Sequence, residues 1–74
     1  MALVIFMFKG IKTIIQCLKE DKMENICKKF STKIDQDINS LYFIYNRTQI
    51  NLKLSFEQQA NYLDKESNIM NVFS

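Results

Sequence analysis

Cys17 and Cys27 are the side chains best suited to hold a metal or attack an electrophile, and no histidine accompanies them anywhere in the 74-residue chain. A structural zinc site needs four Cys, His or carboxylate ligands, so two isolated thiols with no histidine cannot complete one. A disulfide would require the two Cα atoms to come within about 7 Å, and reduced, buried thiols of the kind found in intracellular proteins are expected instead. The missing histidine also removes the usual general base at neutral pH. A single glycine leaves no glycine-rich phosphate loop, and no Ser or Cys sits in a nucleophile motif. Asp35 and Asp37 make a carboxylate pair, yet two acids in a polar stretch are ordinarily just solvated. The expectation is a protein that is not an enzyme, with no catalytic residue, metal or cofactor.

Charge narrows the partners. Ten Lys and Arg against eight Asp and Glu give a formal +2, with the signs alternating along the chain. Only Lys28-Lys29 with Lys33 approaches a basic cluster. These lysines fall near the end of an expected helix, where cations suit the negative end of the helix dipole, so no nucleic-acid partner is expected. The apolar opening, Met1 to Phe8, has no cationic stretch before it and no small-residue cleavage site after it. It is far short of the roughly 20 apolar residues of a membrane span. A strand buried on both faces fits better, with no membrane partner and a cytoplasmic or nuclear location.

Any interaction surface must be held by a small scaffold. A chain this short makes one domain, 1–74, that hides only about 60% of its unfolded surface. Hydrophobic residues at 47% suffice for a core, and one glycine with no proline leaves no linker-like segment. Leu3 to Phe8 and Ile11 to Cys17 are strand-like runs on either side of Lys9-Gly10, which makes a hairpin. In the second run Thr13, Ile15 and Cys17 share the expected core face, leaving Lys12, Ile14 and Gln16 outside. In the first run both faces are apolar and alternation alone does not choose between them; the set Val4, Phe6 and Phe8 is expected inward.

Asp21-Lys-Met-Glu24 has the spacing of a capping-box variant and starts a helix. Met23, Ile26, Cys27, Phe30 and Ile34 form its apolar stripe, with Glu24, Lys28, Lys29 and Lys33 away from it. Asp35 to Ser40 is polar and loop-like. Leu41 to Tyr45 makes a third strand, with Leu41, Phe43 and Tyr45 alternating with Tyr42 and Ile44. Asn46-Arg47 turns into a short strand from Thr48 to Ile50, with Asn supplying the positive φ such turns need. Ser55 to Ala60 suits one capped helical turn that tucks Phe56 and Leu63 inward, and Ser67 to Phe73 makes a last strand.

This element order, in an α+β chain with four to five strands in a mixed sheet on one main helix, resembles the β-grasp fold of the ubiquitin-like family. The likeness extends to spelling along nearly the whole chain. Asp21-Lys-Met-Glu-Asn-Ile26 is similar to the family's Asp-Thr-Ile-Glu-Asn-Val, and Phe43-Ile-Tyr-Asn-Arg-Thr-Gln-Ile50 to its Leu-Ile-Phe-Ala-Gly-Lys-Gln-Leu. Lys65-Glu-Ser67 matches a Lys-Glu-Ser before the last strand, while the segment around Asn61 is two or three residues longer.

The resemblance implies recognition of other proteins through an apolar patch on the sheet. By that analogy Ile44 sits at its centre, with Tyr42 and Phe73 beside it and Arg47 and Asn71 at its rim. Partners would be domains of the ubiquitin-binding type. The family's conjugated members end in Gly-Gly, whereas this sequence stops at Phe73-Ser74, so the leading expectation is a non-catalytic docking domain. The alternative is a protein modifier whose tail lies outside this sequence. A second expected surface is the edge formed by Lys12, Ile14 and Gln16, which could take an extended acidic-apolar peptide or another copy of the chain.

Overall fold

A computed structural model describes residues 2–45, 47–60 and 69–74. Asn46, Leu63 and the Lys65-Glu-Ser67 string, each given a part above, lie outside the described residues. Strands β1 (Ala2–Phe8) and β2 (Ile11–Cys17) lead into helix α1 (Met23–Lys33). Strands β3 (Tyr42–Tyr45) and β4 (Thr48–Gln49), the short helix α2 (Phe56–Ala60) and strand β5 (Ile69–Phe73) follow. The sheet runs β2-β1-β5-β3-β4, with β1 and β5 parallel and the other pairs antiparallel. This five-stranded mixed sheet on one main helix is a β-grasp roll, as the element order predicts.

The hairpin turn follows from its two central residues. Phe8 pairs with Ile11, leaving Lys9 and Gly10 as a two-residue loop with φ of 52° and 79°. Positive φ at both positions is what a type I′ turn requires, and its twist matches that of the strands it joins.

Alternation decides the core. Val4 and Phe6 of β1, Ile15 and Cys17 of β2, Phe43 and Tyr45 of β3, and Met70 and Val72 of β5 are buried against Met23, Ile26, Cys27 and Phe30 of α1. Phe8 and Ile34 pack at its margin. The aromatic set of β1 therefore faces inward: Phe6 stacks on Phe30 at 4.4 Å between ring centroids and meets Phe43 edge-on at 6.1 Å.

The start of α1 differs from the sequence expectation. Asp21 does not cap it: Lys22 occupies the N-cap and makes no side-chain cap bond. The Asp21 carboxylate accepts instead from the Leu18 N–H at 2.8 Å, closing the turn after β2. The first helical N–H groups find backbone partners from far along the chain, with Met23 donating to the Leu54 carbonyl (2.8 Å) and Glu24 to that of Leu52 (3.0 Å). In return Phe56 and Glu57, at the start of α2, donate to the carbonyls of Asp21 (2.8 Å) and Lys19 (3.0 Å). Each helix start is thus satisfied by the turn leading into the other. The true capping box lies at α2, where Ser55 N–H donates to Gln58 Oε1 and Gln58 N–H donates to Ser55 Oγ.

The end of α1 closes as a Schellman motif, Gln36 N–H donating to the Ser31 carbonyl and Asp35 N–H to that of Thr32, with Asp35 at φ 58°. Asp37 then caps a 3₁₀ turn (Ile38–Ser40), its carboxylate accepting from the Asn39 N–H. Both acids of the Asp35/Asp37 pair therefore serve local backbone geometry.

Candidate functional site

With α1 and the core on one face of the sheet, the opposite face is left to the alternate residues of every strand. Strand pairing arranges them in rows. One row runs Ile14, Ile5, Ile69 across β2, β1 and β5. The next runs Lys12, Met7, Asn71, Ile44, Gln49 across all five strands. A third places Phe73 of β5 directly opposite Tyr42 of β3. Tyr42 is 59% exposed and Phe73 56%, while Ile44 is half-buried beside them.

The expected patch residues are thus adjacent on one face: Tyr42 pairs with Phe73 and Ile44 with Asn71. Arg47 is exposed in the β3–β4 turn at a positive φ of 66°. Only Lys12 carries a charge among the strand residues of this face, and it lies at the sheet's edge. Depletion of charge around exposed aromatics is the composition of an interface core.

The apolar face reaches beyond the expected patch. Leu3, Ile14 and Ile69 are 48%, 55% and 42% exposed, and Ile5 and Met7 are half-buried among them. Together with Tyr42 and Phe73 these residues make one apolar stretch across four strands. The sequence carried a signal for this extension, because β1 is apolar on both faces and only one can enter the core.

The edge residues Lys12, Ile14 and Gln16 are exposed on β2, which ends the sheet. Ile14 pairs with Ile5 and so shares the outer face, whereas α1 and its lysines lie on the other side. An open polar groove along α1 is lined by Asp21, Asn25, Lys28, Lys29 and Thr32.

Chemical reactivity is suppressed where it could arise. Cys17 and Cys27 are free and buried. Burial raises the thiol pKa of both, with Asp21 adding to the effect at Cys17, and that of Cys27 is pushed up to about 12. Among the described residues, no group of three or more His, Cys, Asp or Glu could hold a metal ion, and no helix is long and apolar enough to cross a membrane.

No protein-family model and no curated protein matches the chain. Solved structures do match it. A chain in the crystal structure of ATBAG1 in complex with HSP70 superposes with a TM-score of 0.85 at 11% identity. All of the present chain is covered by the match and 40% of that one, so this chain spans well under half the length of its structural neighbour. At that identity the match establishes the fold alone. In all, 212 solved chains match, and a scaffold so widely used leaves function to the surface it carries.

Proposed function

We propose that this chain is a single ubiquitin-like domain, non-catalytic, that binds partner proteins through the outer face of its sheet, with Tyr42, Ile44 and Phe73 as the contact centre and Arg47 and Asn71 at the rim. The observation that carries the reading is the direct pairing of two exposed aromatics, Tyr42 and Phe73, beside Ile44 on a face almost free of charge. Aromatic side chains supply large contact area with few rotatable bonds, which suits them to anchor an interface. Arg47 at the margin favours a partner whose apolar contact is flanked by a carboxylate. The spelling shared with the ubiquitin-like family and the β-grasp roll support the same reading, with domains of the ubiquitin-binding type as the partner class.

The test is a binding titration with a panel of ubiquitin-binding domains that present an apolar helix face. Tyr42→Lys and Phe73→Lys, both at exposed positions, should each weaken binding at least about tenfold, or about 1.4 kcal/mol, while leaving the circular dichroism spectrum unchanged. Wild-type affinity in both variants, or no binding by any member of the panel, would refute the proposal.

A further inference from the structure

Strand β2 is an unguarded edge. Its residues pair with β1 through seven consecutive partners without a bulge, and among the described residues no strand pairs with its other side. Proteins usually blunt such an edge with a proline, a bulge or several charges, and β2 has Lys12 alone.

We propose that β2 pairs with the β2 of a second copy of this chain, antiparallel and centred on Ile14, to give a two-fold dimer with one continuous ten-stranded sheet. Ile14 is the midpoint of Ile11–Cys17, so this two-fold register alone engages every residue of the strand. In it Ile14 meets Ile14 of the second copy, and the row Ile69, Ile5, Ile14 runs on unbroken into its symmetry mate. Lys12 faces Gln16 of the second copy and never another lysine, so no like charges stand opposite one another. On the inner face Thr13 meets Ile15, and the exposed Ile11 meets Cys17.

The Lys29 side chains of the two copies do not oppose one another. Lys29 lines a groove with Gln16, Cys17 and Leu18 at one end of β2. Antiparallel pairing sets those ends roughly 20 Å apart, beyond the reach of strong repulsion in physiological salt. The contact is isologous and closes on itself, which limits assembly to a dimer. It also leaves both Tyr42–Phe73 pairs uncovered on the same face, roughly 40 Å apart.

Sedimentation from micromolar to millimolar concentration should show a monomer–dimer equilibrium, and cysteine crosslinking reads the register. Ile14→Cys should form a disulfide-linked dimer in oxidised glutathione, because directly opposed residues have Cβ atoms about 5 Å apart. Lys12→Cys alone lies about 14 Å from its own copy and should crosslink at least about tenfold more slowly. A mixture of Lys12→Cys and Gln16→Cys should instead give the mixed dimer. Cys17 and Cys27 are buried, and the unmodified chain sets the baseline. A monomer at every concentration, or Ile14→Cys crosslinking no faster than Lys12→Cys, would overturn the proposal. So would a chain that stays monomeric while its β2 amide signals shift on adding an acidic-apolar peptide, which would assign the edge to peptides.

Discussion

Replacing Phe6 by Leu should unfold the protein far more readily than replacing Phe73 by Leu, though both are aromatic strand residues. Phe6 is fully buried, stacked on Phe30 at 4.4 Å with planes 11° apart, and meets Phe43 edge-on at 6.1 Å. Each such aromatic pair contributes about 0.5–1.5 kcal/mol beyond area burial, and the smaller Leu leaves a void besides. The sum is about 2 kcal/mol, out of roughly 4–11 kcal/mol for a domain of this size. In a domain of this length that lowers the melting temperature by about 8–16 °C. Phe73 is 56% exposed, and its replacement should cost no more than about 0.5 kcal/mol. Urea unfolding followed by circular dichroism gives both numbers. Equal losses, or a larger one at Phe73, would mean that the assignment of faces on β1 and β5 is wrong.

Removing the α2 capping box with Ser55→Ala should cost about 1 kcal/mol in the same assay, because it leaves the Gln58 N–H without its acceptor. Gly10→Ala should cost about 1 kcal/mol through backbone strain alone, since φ is +79° and no atom lies within 4 Å of the added methyl. The Cys27 thiol has an ordinary value of 9.0 and is held at about 12 by burial, so the folded state keeps its proton where the unfolded chain loses it. Its contribution is therefore whole below about pH 9 and is lost as the pH rises towards 12. The fall in stability across that window should be shallower in Cys27→Ala than in the wild type, as measured by unfolding at a series of pH values.

Much of the fold was legible because alternation and helical spacing are local. Leu41, Phe43 and Tyr45 alternate with Tyr42 and Ile44, and Met70 and Val72 with Asn71 and Phe73, so period two sorts β3 and β5 into two sets each, and the resemblance to the ubiquitin-like family is what turned Ile44 and Phe73 outward. Strand β1 is apolar throughout, and only the bulk of Phe6 and Phe8 argued for the inward set. The start of α1 was misjudged because Asp21-Lys-Met-Glu24 spells a local cap, while its N–H groups are taken by Leu52 and Leu54, which no short-range pattern reveals. Arg47 in the turn after β3 takes a positive φ, which its residue type does not announce. In the candidate site, Tyr42, Ile44, Asn71 and Phe73 were expected together. The extension through Ile5, Met7 and Ile69 needed the sheet order, because only the parallel pairing of β1 with β5 places Ile69 beside Ile5.

Amide chemical-shift mapping of the labelled chain against a panel of ubiquitin-binding domains tests the docking face most directly. Shifts on complex formation should concentrate on the outer face of β3 and β5, at Tyr42, Ile44, Asn71 and Phe73, with Arg47 at their margin. Shifts centred on the exposed face of α1, at Asn25, Lys28 and Thr32, would contradict the account, as would the absence of any shift across the panel.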